Sequence, residues 1–369
     1  MLFSLKFLKF LFKKKELVFF SEGSFYNNHY LNLIKKISYK YKKKIFYITM
    51  DKDDILFKYN KNIEYIYIKK GLLCFFIVST IHCDVFVTTL TDIGNNFLKS
   101  KFCKRYIYFF HALASTHQIY KHDAFKNYDV ILTNGEYQKK ELKYSEKLFN
   151  FPKKKIHNCG YLYLEYLLKN SNKKKSESKT ILFAPSWNYQ KKNLINMFGL
   201  KIIEKLIDSN YRVIFRPHPE LLKRQNNVIQ KILNKYSTSD NFIFDTSKDP
   251  LNSMEMSSII ITDNSTIGLE FLLVFFRPTI YINFKKKIHN KHFHKINLPP
   301  LEETLRKKFG YNLNYGQIDM LDKNIKKIRK LKFNKNLLKN FMNKELFDYK
   351  NSSNKVATSI LNELLKIRS

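Results

Sequence analysis

The chain has 369 residues, 44% of them hydrophobic and 16% aromatic, with a formal net charge of +36. That much apolar material excludes a disordered chain, and the length exceeds what one small core organises, so two domains are expected. The charge favours anionic partners such as nucleic acid, acidic lipid headgroups or phosphorylated substrates, although the Lys-, Asn-, Ile- and Phe-rich composition is also what an AT-biased genome produces without functional demand.

Residues 1–15, MLFSLKFLKFLFKKK, alternate apolar residues with lysine. The run is too short to span a bilayer and carries no small-residue cleavage site. It fits a helix lying in an anionic membrane interface; a terminal helix packed on the protein is the other reading. The cysteines, Cys74, Cys83, Cys103 and Cys159, show no C-x-x-C spacing. A zinc site or disulfide framework is therefore not expected, and a reducing, cytoplasmic setting is.

Short β-branched or aromatic runs then alternate with longer amphipathic segments. Strands are predicted at 17–20, 44–49, 63–68, 85–89, 106–110 and 130–133, with helices at 27–41, 71–81 and 136–148 between them. The apolar stretch 71–90 is long enough to resemble a membrane span, but His82 and Asp84 interrupt it, so a buried helix leading into a strand fits better. The polar run 169–179, KNSNKKKSESK, reads as an interdomain linker. Beyond it the alternation restarts, with strands at 180–184, 212–215, 242–244, 259–262 and 279–282 and helices at 193–208, 220–236, 250–257 and 265–275. From about 318 to 369 the chain reads as helical. The expected fold is α/β: two Rossmann-like doubly wound domains, 16–168 and 180–317, facing a cleft in the GT-B manner, with a helical C-terminus. No G-x-G-x-x-G or Walker A motif is present, which disfavours an ordinary dinucleotide or P-loop site.

Open α/β sheets bind ligands at the carboxyl ends of their strands. The polar residues immediately after the predicted strands are few. His111, Ser115, Thr116 and His117 follow 106–110, and Pro185-Ser186-Trp187 follows 180–184. Arg216-Pro217-His218-Pro219 follows 212–215, and Asp263-Asn264-Ser265-Thr266 follows 259–262 and opens a helix carrying Glu270. A helix start rich in Ser, Thr and Asn suits phosphate, through unpaired N–H groups and the helix dipole, and is equally what an ordinary N-cap looks like. His111 has the chemistry of a general base or of a satisfied core histidine. His218, fixed between prolines, can donate to a diphosphate, and Arg216 can pair with the same oxygens or with a carboxylate such as Asp263. The histidines lack metal-ligand spacing, so no metal and no cofactor is expected.

Taken in order, FFHALAST (109–116), YDVILTNGEYQKKEL (128–142), IHNCGYLYLEYL (156–167), ILFAPSWN (181–188), VIFRPHPE (213–220) and MSSIIITDNSTIGLEFLLVFFRPTIYIN (256–283) resemble the CDP-glycerol glycerophosphotransferase family, the teichoic-acid-type polymerases and primases. The resemblance implies a metal-independent GT-B enzyme. Such an enzyme moves a polyol phosphate from a CDP-activated donor to a hydroxyl of a membrane-linked acceptor in surface-polymer or capsule synthesis and releases CMP. By it His111 corresponds to the base in the family's W-H-G motif and His218 to the histidine of its H-P motif. Asp263, Ser265 and Thr266 correspond to its D-x-S-S/T phosphate loop, with Glu270 at the nucleotide ribose and Ser115, Thr116 and His117 on the acceptor side. W-H-G reads Phe110-His111-Ala112 here. A nucleotide-sugar glycosyltransferase on the same scaffold is the main alternative. A basic nucleic-acid-binding module is not favoured, because the aromatics carry core spacing rather than forming a stacking stripe. The expected location is the inner face of the cell membrane.

Overall fold

The computed structural model describes residues 13–54, 62–91, 93–95, 97–172, 177–188, 193–224, 226–284, 286 and 288–369. The amphipathic segment expected over 1–15 lies, up to residue 12, outside the described residues. The chain divides into two compact units. The first holds 1–166, 289–298 and 344–369, and the second holds 167–288 and 299–343.

The first unit runs β1 (Lys15–Ser21), α1 (Asn27–Lys35), β2 (Ile45–Thr49), β3 (Ile63–Tyr67), α2 (Leu72–Thr80), β4 (Cys83–Thr88), β5 (Cys103–Phe109), α3 (Thr116–Ile119), β6 (Val130–Thr133), α4 (Glu136–Leu148), β7 (Lys155–Asn158) and α5 (Leu162–Asn170). Its strands form a parallel sheet ordered β3-β2-β1-β4-β5-β6-β7. Val18 and Phe20 face one side of β1, with Cys74, Ile77 and Val78 of α2. Leu17 and Phe19 face the other, with Leu33 and Ile34 of α1. Both faces are covered, which is why β1 reads as an unbroken apolar run rather than an alternating one.

The second unit runs β8 (Glu177–Phe183), α6 (Leu200–Asp208), β9 (Arg212–Phe215), α7 (Pro219–Arg224), α8 (Asn226–Tyr236), β10 (Phe242–Phe244), α9 (Leu251–Met256), β11 (Ser257–Thr262), α10 (Thr266–Phe275), β12 (Thr279–Asn283), α11 (Leu301–Phe309), β13 (Tyr311–Asn314), α12 (Leu321–Lys330) and α13 (Lys335–Glu345). Its parallel sheet is ordered β10-β9-β8-β11-β12-β13. The sequence predicts no strand at β7 or β13. KIHN and YNLN are short, polar edge strands without an apolar run, so periodicity carries no signal there.

The last helix, α14 (Ser352–Arg368), returns to the first unit, where Val356, Ile360 and Leu364 join the core beside α1. Its Glu363 is fully buried and takes Arg105 of β5 and Lys155 and His157 of β7 as partners, with His157 Nε2 at 2.9 Å. Gly160 holds the left-handed conformation (φ +91°), and a Cβ there would meet the Phe347 carbonyl oxygen at 2.2 Å. The C-terminal segment can therefore lie against this turn only because the residue is glycine. The region expected to be linker is short: α5 runs to Asn170, β8 begins at Glu177, and 173–176 lie outside the described residues. Among the described residues no helix is long and apolar enough to cross a membrane. Residues 71–90 resolve instead into α2 and β4, as the His82 and Asp84 interruption predicts.

Candidate functional site

In the second unit the candidate residues gather at the carboxyl ends of three neighbouring strands, β9, β8 and β11. β8 and β11 flank the point where the strand order reverses, the usual ligand position of a doubly wound sheet. The ladder continues past the strands. Ala184 N donates to Ile261 O (2.9 Å), Arg216 N to Phe183 O (2.9 Å) and His218 N to Pro185 O (3.3 Å). The segments Pro185-Ser186-Trp187 and Arg216-Pro217-His218 thus lie side by side. Pro217 fits because alternate residues make these bonds, and Pro219 fits because it opens α7, where an N–H has no helical partner.

His218 is fixed on both sides of its ring. Its Nδ1 accepts from the Glu220 backbone N–H (3.1 Å), and the Trp187 ring lies 6.1 Å away. With Nδ1 accepting, the neutral ring carries its proton on Nε2, a hydrogen-bond donor. After β11, on the far side of β8, Ser265 is the N-cap of α10 in an extended conformation (φ −80°, ψ 140°), and no side chain caps the helix. The first-turn amides and the positive end of the dipole are what such a terminus offers an anion. Gly268 lets this turn sit directly on the sheet, since a Cβ would meet Thr262 at 2.8 Å and Tyr281 at 3.1 Å. Glu270 lies on α10 one turn beyond Thr266 and is buried.

Two residues have partners that local sequence does not reveal. Asp263 is buried and accepts from both Ser186 N (2.8 Å) and Ser186 Oγ (2.7 Å), so its carboxylate braces the β8 and β11 ends. Arg216 pairs with Asp245 (2.6 Å) and not with Asp263, and its fork also reaches Ser247 Oγ (3.0 Å) and Ser247 O (2.7 Å). Burial works to raise the Asp245 carboxyl, but hydrogen bonds from Ser247 and Ser253 and the Arg216 charge outweigh it, leaving the group below the ordinary carboxylate range. Arg306 on α11, undistinguished in the lysine-rich LEETLRKKF, also belongs to this edge. It donates to Asn264 Oδ1 and to Asn283 Oδ1 (3.2 Å) and lies 4.7 Å over the Tyr281 ring.

In the first unit His111 follows β5. Its carbonyl accepts from Tyr161 Oη (3.0 Å) and from His29 Nε2 (3.0 Å), and its ring meets Tyr26 edge-on at 5.1 Å. Burial lowers the His111 pKa to about 4. Burial, with the nearby His111, lowers that of His29 to about 3. Both rings are neutral near pH 7, so His111 can accept a proton. His29 is a support that the sequence reading missed, since a histidine in the amphipathic α1 carries no mark of its own. Ser115, Thr116 and His117 are buried. Thr116 Oγ1 donates to Glu141 of α4 (2.7 Å), and His117 Nδ1 lies 3.3 Å from the same carboxylate. These two are turned into the protein toward a residue 24 or 25 positions away. Among the described residues no group of three or more His, Cys, Asp or Glu side chains could hold a metal ion.

Comparisons with known proteins bear on the fold and the family. Over 97% of this chain and 91% of its own, the structure of the wall teichoic acid polymerase TagF superposes with a TM-score of 0.62 at 14% identity. A variant of TagF soaked with CDPG superposes at 0.56, also at 14% identity, covering 96% of this chain and 89% of its own. The UDP-GlcNAc 2-epimerase of Methanocaldococcus jannaschii, in complex with UDP-GlcNAc and UDP, superposes at 0.58 with 15% identity over 95% of this chain and 99% of its own. At these identities the likeness establishes the fold, the GT-B class of two parallel-sheet α/β units. No curated protein matches the chain. The family model of CDP-glycerol:poly(glycerophosphate) glycerophosphotransferase matches residues 1–362. The chain therefore belongs to the CDP-glycerol:poly(glycerophosphate) glycerophosphotransferase family and is a glycerophosphotransferase-like enzyme.

Proposed function

We propose that the enzyme transfers a polyol phosphate, glycerol phosphate in the simplest case, from a CDP-activated donor to a hydroxyl of a membrane-linked acceptor in the synthesis of a teichoic-acid-like surface polymer. The observation that carries this reading is the second unit's strand-end edge. His218, with an Nε2–H donor, follows β9 there, and the start of α10, which has no side-chain cap, follows β11 two strands away; both kinds of group suit a diphosphate.

In this reading the second unit holds the donor. The α10 amides with Ser265 and Thr266 take phosphate oxygens, His218 donates to a second set, and Glu270 serves the ribose. Asp263 acts by bracing Ser186, and Arg216 by fixing the loop at Asp245–Ser247. The first unit supplies the base. Neutral His111 takes the proton of the acceptor hydroxyl as its oxygen attacks the β-phosphorus. The new P–O bond forms to the acceptor, the bond from that phosphorus to the bridging oxygen breaks, and CMP leaves with the electron pair. Little covalent chemistry falls to the protein, so positioning and charge stabilisation account for the rate.

The test is product analysis by mass spectrometry, with purified enzyme, a hydroxyl acceptor and a panel of CDP-polyols and UDP-sugars. CMP release coupled to a mass gain of one polyol phosphate is expected. Turnover of UDP-sugars alone would replace this reading with a glycosyltransferase.

A further inference from the structure

Arg105 pairs with Glu363, Arg216 pairs with Asp245, and Arg277 donates to the carbonyls of Met254, Glu255 and Ser257. These half-buried guanidinium groups are structural ties. Arg306 on α11 is half-buried as well, but both of its acceptors are neutral: Asn264 Oδ1, just beyond β11, and Asn283 Oδ1 at the end of β12 (3.2 Å). Among the described residues no carboxylate pairs with it. Of the carboxylates whose field reaches it, Asp263 is held by Ser186 and Glu303 by Lys286. A cation drawn out of water without a counter-charge is costly. The Tyr281 face, 4.7 Å below the guanidinium, offsets part of that cost. Burial still holds the Arg306 pKa below its ordinary value, although a guanidinium remains protonated all the same.

The side chain is aimed. Asn283 is itself oriented, since its Nδ2 donates to Asn314 Oδ1 (3.1 Å), and the Arg306 carbonyl accepts from Asn312 Nδ2 (2.9 Å). The Tyr281 ring also packs against Gly268 in the first turn of α10. Guanidinium and helix start therefore share one support, which sets two sources of positive potential side by side. One N–H from each terminal nitrogen goes to an asparagine, so the fork keeps further N–H groups to offer.

We propose that Arg306 binds the diphosphate of the nucleotide donor, as the counter-charge that the chain itself does not supply. Its planar fork suits two phosphate oxygens at once. Asn264 and Asn283 hold the fork without cancelling its charge. An aspartate at Asn283 would tie the arginine as firmly and leave it little attraction for an anion. The inference deepens the proposed function and rests on its nucleotide donor.

The test is calorimetric titration of the full chain with CDP, UDP and cytidine. Arg306→Met, which keeps an apolar stem on Tyr281, is expected to lose CDP affinity about tenfold or more with cytidine affinity unchanged. Arg306→Lys keeps the charge without the fork and is expected to recover part of the loss. Asn283→Asp is the independent reading should Arg306→Met fold poorly. It leaves the arginine in place and neutralises it, so CDP affinity is expected to fall while resistance to urea does not. Native CDP affinity in both Arg306→Met and Asn283→Asp overturns the proposal. So does an equal loss of CDP and cytidine affinity in Arg306→Met, which would make Arg306 only a tie between α11 and the sheet. Equal binding of CDP and UDP by the native chain, with both weakened in Arg306→Met, supports the role of Arg306 and counts against the cytidine donor of the proposed function.

Discussion

Both carboxylate oxygens of Asp263 are taken by one residue, Ser186, through its backbone N–H and its hydroxyl. A carboxylate beside the positive end of α10 would otherwise compete with an anionic ligand for that field. Held by Ser186 it becomes a brace between the ends of β8 and β11. Asp263→Ala leaves a donor pair in a buried site without an acceptor and is expected to cost about 1–3 kcal/mol of stability. Urea unfolding checks this. A variant of native stability that loses only donor affinity would instead make Asp263 a direct ligand.

His218 has two separable roles, because Nδ1 accepts from the Glu220 amide and the neutral ring then carries its proton on Nε2. His218→Ala is expected to lower kcat/KM for the donor by roughly 10²–10³, the scale of a deleted transition-state hydrogen bond. His218→Gln, whose amide nitrogen reaches the Nε2 position, is expected to recover part of that loss. His218→Asn, which reaches only the Nδ1 position, is expected to recover little. Steady-state kinetics on the three variants separates donation from loop support.

The fold was largely legible, and the reason is local. Buried parallel strands such as Val18–Phe20 and Ile259–Ile261 are apolar runs ended by polar turns, and the helices between them repeat at helical spacing. The strand-end rule then brought out His218 and the start of α10. What stayed hidden depends on long-range pairing. Asp245 for Arg216, Glu141 for His117, His29 beneath His111 and Glu363 for the basic ends of β5 and β7 are joined by tertiary contact across 24 to 258 positions. Arg306, and the return of the expected C-terminal helix α14 to the first unit, escaped for a related reason: amphipathic helices look alike in sequence, and only packing tells which core or strand end each one meets.

The Arg216–Asp245 pair is nearly buried, with side chains 11% and 10% exposed. Arg216→Met leaves the Asp245 charge uncompensated and is expected to cost about 3–5 kcal/mol. Removing both partners together is expected to cost less than removing Arg216 alone. The Asp245 carboxyl sits below its ordinary range. Its contribution is therefore present above the unfolded-state carboxyl pKa and is lost as pH falls through the depressed native one. Unfolding of native and variant proteins, followed into acid, should converge in that window.

His111 and His29 act in the same direction, but at higher pH. Their native pKa values, about 4 and about 3, lie below the ordinary histidine value. Between those values and about 6.5 the unfolded chain binds protons that the native protein refuses, so stability rises with pH across the window and falls on acidification. Each pKa unit is worth about 1.4 kcal/mol, so the acid loss is expected to be on the order of 3 kcal/mol for His111 and on the order of 5 kcal/mol for His29. His111→Gln should flatten the pH dependence of unfolding by its own share. The same burial sets the activity profile. A base already neutral above pH 4 places the acid limb of kcat/KM near 4. An acid limb near 6.5 that disappears in His111→Gln would mean that His111 is solvated when it reacts, and that the support from His29 and Tyr161 opens before the acceptor binds.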